Sequence, residues 1–197
     1  TAAYIDSRAE ARRMLVEESS SALFPIANDV KIQVEFNPAR IAEYRLIGYE
    51  TRMLERADFN NDAVDAGEVG SGHAVTAIYE IAAPGSEGAL IDPLRYGEAP
   101  AAASDLSSEY GLLRIRYKHP GEDASNLIER PVTPADAVAD FAAADQETRF
   151  SIEVAGFAQM LRGDPYLREG YGYDQILDGA SAALGPDEFG HRDEFLE

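Results

Sequence analysis

Residues 28–82 read NDVKIQVEFNPARIAEYRLIGYETRMLERADFNNDAVDAGEVGSGHAVTAIYEIA, and the periods within this stretch decide the fold class. Val30, Ile32, Val34 and Phe36 alternate with Lys31, Gln33 and Glu35. That is the period-two pattern of a half-buried strand, with the apolar set expected inward. Asn37-Pro38 predicts a turn. Ile41 to Thr51 predicts a second strand, apolar on both faces at Tyr44, Leu46, Ile47 and Tyr49, and therefore central in its sheet. Residues 74–81, AVTAIYEI, predict a third strand. Between the second and third lies an acidic, glycine-bearing loop, Asp58 to Gly72, read as an ordered connector.

The flanks extend this pattern. Tyr110 to His119 predicts a fourth strand, with Leu113, Ile115 and Tyr117 on one side and a solvated basic row, Arg114, Arg116 and Lys118, on the other. Leu127 to Val132 predicts a short last strand. Residues 83–108, rich in Gly, Pro, Ala and Ser, predict a long loop. Upstream, Tyr4-Ile5 reads as a strand end. Ser7 and Glu10 then form a capping box for a helix that carries Ala11, Met14, Leu15, Ala22 and Leu23 near one face and stops before Pro25. Downstream, Asp136 to Ala143 is weakly helical. Gln146 to Arg162 reads as a helix with Phe150, Val154, Phe157 and Leu161 at helical spacing, followed by helices over Tyr173 to Leu184 and Phe189 to Leu196. The expected class is α+β: a mostly antiparallel sheet or sandwich core, an N-terminal helix and a helical C-terminal segment. The expected divisions are 1–27, 28–133 and 134–197.

The chain has 197 residues and a formal charge of −19, from 36 acidic against 17 basic side chains. This field repels nucleic acid and anionic membrane, and favours cations or basic partners; a generally acidic surface explains it equally well. Cysteine is absent, which excludes disulfides, thiolate metal sites and cysteine nucleophiles. No apolar run approaches the roughly 18 residues of a membrane span, so direct membrane insertion is not expected.

The acidic loop holds the densest set of potential ligand atoms: Asp58, Asn60, Asp62, Asp65 and Glu68, with Asn61 among them. Calcium takes six to eight oxygens, and Asp58-x-Asn60-x-Asp62 has the alternating spacing such loops use. The remainder departs from an EF-hand loop: Ala63 stands where glycine is required, Val69 where the bidentate glutamate belongs, and Glu68 falls one residue short. Capping of turns by Asp and Asn is the competing reading, and the stronger one. His73, His119 and His191 are not at zinc-ligand spacing. Gly67-x-x-Gly70-x-Gly72 precedes a strand, not a helix, and no nucleophile elbow or phosphate loop is present. No catalytic constellation is found, and an enzyme is not expected. Tyr166, Tyr171 and Tyr173, near Arg168, are read either as a binding patch or as packing of a helical hairpin.

The runs VKIQVEFNPARIAEYRLIGYE, DFNNDAVDAGEVGSGHAVTAIYEI, RFSIEVAGFAQMLR, YDQILDGASAALG and FGHRDEFLE together resemble the C-terminal region of bacterial von Willebrand factor type A domain proteins. The resemblance spans nearly the whole chain and is weakest at 83–108. It implies a domain of unknown function that follows the type A domain, with AAYIDSRAEARRMLVEE as the last strand and helix of that domain. The type A domain holds a divalent cation through a DxSxS motif. Asp6-Ser7-Arg8-Ala9-Glu10 lacks both later serines, so that site is carried over to no residue here. The resemblance implies a non-catalytic, protein-binding accessory domain, exported or attached to the cell envelope; a calcium-dependent binding domain using Asp58 to Glu68 is the alternative. The partner is unspecified. The N-terminal helix, left without the rest of its domain, is expected to pack on this chain or to mediate a homodimer.

Overall fold

The computed structural model describes residues 24–48, 54–91, 108–168, 170–187 and 190–197. The expected helix before Pro25, residues 49–53 and residues 92–107 of the expected long loop lie outside these. Six strands occur among the described residues: β1 (Pro25–Phe36), β2 (Glu43–Ile47), β3 (Gly67–Gly70), β4 (Ile78–Ala82), β5 (Gly111–Lys118) and β6 (Asn126–Val132). Three α-helices follow, α1 (Gln146–Leu161), α2 (Tyr173–Ala182) and α3 (His191–Leu196). The class is α+β, and every strand pairing is antiparallel.

Two compact units interleave along the chain. Among the described residues, the first gathers 24–40, 54–75 and 108–133; the second gathers 41–48, 76–91 and those of 134–197. The β2–β4 pair thus groups with the helical segment, where the sequence reading kept all strands together.

The first unit is a four-stranded sheet in the order β3-β1-β5-β6. β1 pairs with β3 near its start and with β5 along most of its length, and its register shifts around Asn28–Val30. Asp29 sits there at φ 51, a left-handed conformation that Asp tolerates better than most side chains. Asn37 turns the chain as expected: its Oδ1 accepts from the Ala39 amide at 3.0 Å and its carbonyl accepts from the Arg40 amide at 2.9 Å. The stretch read as a connector between strands contains a 3₁₀ turn, Arg56–Asn60, and then β3. Four residues rich in glycine gave no period for the eye to find.

The period-two reading of β1 identified the two faces correctly; Val30, Val34 and Phe36 are half-buried and Glu35 is exposed, but Lys31 and Ile32 exchange the environments expected of them. Ile32, Ile115 and Ile128 stand side by side across β1, β5 and β6. Val34 and Leu113 pair beside them, and none of these five is buried. Ile32 is 56% exposed and Ile128 49%. On the opposite face Lys31 is only 3% exposed, and the buried ring of Phe59, from the 3₁₀ turn, lies 5.7 Å from the Arg116 guanidinium carbon. The basic face is therefore covered around Lys31 and Arg116, while Glu35, Leu127 and Glu129 on the same side stay exposed. Its aliphatic stems pack and its charged heads find acceptors in the loop above.

In the second unit β2 pairs with β4 alone among the described residues, in a two-stranded sheet; the expected central position is not found. The Asp145 side chain caps α1 through the Thr148 amide at 3.0 Å and the Thr148 hydroxyl at 2.6 Å. α1 does not bury the stripe its sequence suggests. Val154 and Leu161 are exposed, while Glu153, Gly156 and Gln159 are buried. Phe150 and Phe157 turn instead to Phe195 of α3, with centroids 5.7 and 5.4 Å apart. α2 buries Ile176 and Ala180, and Ala183 just after it is fully enclosed. The weakly helical 136–143 region resolves into two 3₁₀ turns, Pro134–Asp136 and Phe141–Ala143.

Candidate functional site

Three cations carried by the first sheet converge on the acidic loop. The ammonium of Lys31 donates to the main-chain carbonyls of Asp58, at 3.3 Å, and Asn61. Lys118 donates to Asp29 Oδ2 at 2.6 Å and to the Asp62 carbonyl at 2.9 Å. Arg116 spans Asn60 Oδ1 at 3.1 Å and Ser125 Oγ at 2.8 Å. Local capping completes the arrangement, with the Ala63 amide donating to Asn61 Oδ1 at 3.0 Å and the Ala66 amide to Asp29 Oδ1 at 3.3 Å.

The electrostatics follow from these contacts. The hydrogen bond from Lys118 holds the Asp29 carboxyl below its usual value. Ser125, with Lys118 and Arg116 nearby, does the same for Asp62. The Lys118 ammonium is correspondingly raised, first by its hydrogen bond to Asp29.

This arrangement places each residue of the proposed calcium set. Asp58 offers its carbonyl to Lys31, Asn60 its amide oxygen to Arg116, and Asp62 its carbonyl to Lys118. Asp65 is exposed, and Glu68 points from an exposed position on β3. Among the described residues no three His, Cys, Asp or Glu side chains are grouped so as to hold a metal ion. The loop does gather oxygens around positive charge, but the charge belongs to the protein. Sequence reading missed Lys31 and Lys118 because alternation assigned both to solvent.

The second unit has its own polar centre. Arg45 on β2 bridges Glu80 of β4 and Asp164, the latter at 2.8 Å, and its guanidinium carbon lies 4.1 Å from the Tyr166 ring centroid. Arg45 holds the Asp164 carboxyl below its usual value. Beside it opens a cleft of about 990 Å³ between the β2–β4 pair and α1, lined also by Tyr166, Leu167, Arg168 and Tyr171. Of the three tyrosines, read as a patch or as helical-hairpin packing, Tyr166 stacks on Arg45, Tyr171 hydrogen-bonds Glu153 of α1 at 2.6 Å, and Tyr173 of α2 sits 6.1 Å from Phe157 of α1, a contact of the packing kind.

An α+β chain with a lysine-clamped acidic loop and a cleft-bearing helical unit is thus defined by its geometry. Residues 21–197 match the family described as "Uncharacterized protein YfbK, C-terminal", and the chain belongs to that family. It is 42% identical over 194 residues to the uncharacterized protein YfbK of Escherichia coli (strain K12). That alignment covers 98% of this chain and 32% of the relative, so the chain spans about a third of its relative's length. No solved structure matches it.

Proposed function

We propose that this chain is a non-catalytic interaction module of a von Willebrand factor type A domain protein, docking through the open apolar face of β1, β5 and β6. The observation that carries this reading is the row Ile32–Ile115–Ile128, aligned across three strands, with Ile32 and Ile128 exposed on either side of a half-buried Ile115. Burying an apolar side chain of this size stabilises a complex by roughly 1.5–3 kcal/mol, and contiguous exposed patches of this kind mark interaction surfaces. The occupant is the remainder of a longer polypeptide: the relative extends well beyond the matched third, and the resemblance sets a type A domain immediately upstream. The resemblance also supports a location at the cell envelope. Among the described residues no helix is long and apolar enough to cross a membrane.

The test is a binding titration between this chain and the separately expressed upstream region of the longer protein, comparing wild type with the double substitution Ile32→Lys and Ile128→Lys. The reading expects binding by the wild type and at least a tenfold loss in the variant. Equal affinities would refute it. Light scattering on the chain alone detects a second copy on the same face, as a dimer abolished by the same two lysines.

A further inference from the structure

The cleft of the second unit contains a carboxylate that has no ion pair among the described residues. Glu153 on α1 is 5% exposed and lines the cleft. Its Oε2 accepts from the Tyr171 hydroxyl at 2.6 Å, and no Lys, Arg or His is within ion-pair distance of it among the described residues. Two glycines make room for it. A Cβ on Gly179 would lie 2.0 Å from Glu153 Oε1, and one on Gly156 would lie 2.4 Å from the Tyr171 hydroxyl. Burial, reinforced by the hydrogen bond to Glu153, raises Tyr171 well above the ordinary phenol range, so its proton stays in place to be donated.

Of the other charged groups lining the cleft, Arg45 and Glu43 are already committed, while Glu87 and Arg168 are exposed at its rim and Arg168 is not within ion-pair distance of Glu153. Arg45 is paired with Glu80 and Asp164, and the Glu43 carboxylate accepts from the Leu90 and Ile91 amides at 3.1 and 2.8 Å. A second group is left open two turns along the same helix. Gln159, 7% exposed, lines the cleft, and its amide nitrogen has no hydrogen-bond partner. Its side chain lies on the Asp164 side of the cleft and helps hold that carboxyl below its usual value, after Arg45. A carboxamide can present either its oxygen or its nitrogen. Phe141, Tyr166 and Tyr171 supply aromatic surface around these two groups.

A buried carboxylate without a counter-ion is costly unless a cation reaches it, and an ammonium is also drawn to aromatic faces. We infer that this cleft binds a primary alkylammonium group, with Glu153 as its counter-ion and Gln159 as a further polar contact. The group belongs either to a free amine or to a lysine side chain of a bound peptide. The site lies within the second unit and does not depend on the docking face of the first.

The full chain is titrated calorimetrically with n-butylammonium, with putrescine and with an acetylated, amidated lysine-containing peptide, each for wild type and for Glu153→Gln. Saturable binding of at least one probe, weakened tenfold or more in the variant, is expected; tight binding by the peptide alone identifies the lysine source, and by the small amines the free source. Absence of binding by all three overturns the inference, as does equal affinity in wild type and variant. Should Glu153→Gln lose its helical circular dichroism, Gln159→Leu replaces it, with a severalfold loss expected and unchanged affinity contrary.

Discussion

Lys31 shows how one side chain can organise a segment thirty residues away. Its ammonium satisfies two loop carbonyls from inside a nearly closed environment. Replacing Lys31 by Met keeps the stem and strands both carbonyls, a loss of about 1–3 kcal/mol. Thermal denaturation is expected to show a lower melting temperature, and limited proteolysis faster cleavage within 56–66. The Asp29–Lys118 pair sets a pH window. Asp29 has a folded-state pKa below its ordinary 3.8, so its contribution is complete above that value and is lost as pH falls through the lower folded one. Lys118 is raised above 10.5, so its contribution is present below that value and is lost as pH rises through the higher folded one. The stability difference between wild type and Asp29→Asn is therefore expected to be constant from about pH 5 to 9 and to shrink in acid. A difference that grows in acid would contradict the pairing.

The strands and helices were legible where a period ran long, and their surroundings were not. β5 and α1 fall where alternation and helical spacing placed them, because eight and sixteen residues give a repeat that single positions cannot disguise. Which face faces inward is a different question. In β1 it is decided by a loop that returns over Lys31, and in α1 by Tyr171 and Gly179 closing on Glu153, so Ile32 and Leu161 end exposed. No local pattern encodes such long-range partners. Close approach fixes particular positions too. Gly111 sits between Phe36 and Val132 in register, and a Cβ there would lie 2.5 Å from the Glu35 carbonyl oxygen. Gly111→Ala is expected to destabilise the sheet by roughly 1–3 kcal/mol, because backbone must move to admit it. An unchanged denaturation midpoint would show that β1 and β5 separate freely.

At the scale of the molecule, two interleaved units carry two different surfaces: an open apolar sheet face in one and an acid-lined cleft in the other. The acidic loop, the densest cluster of ligand atoms in the sequence, is expected to leave the melting temperature unmoved by millimolar calcium or by chelator, because Lys31, Lys118 and Arg116 already take up its carbonyls at 58, 61 and 62 and the Asn60 amide oxygen, and no three acidic side chains are grouped to hold a metal among the described residues. A rise of several degrees with calcium would reopen the metal reading. The docking face admits a more direct probe, since the chain has no cysteine to interfere. Ile128→Cys places a single thiol in the open row, and its maleimide labelling rate is measured in this chain alone and in the full-length protein, with cysteines outside this region replaced. The account expects rapid labelling in the isolated chain and a rate at least tenfold slower in the full-length protein; equal rates would contradict it.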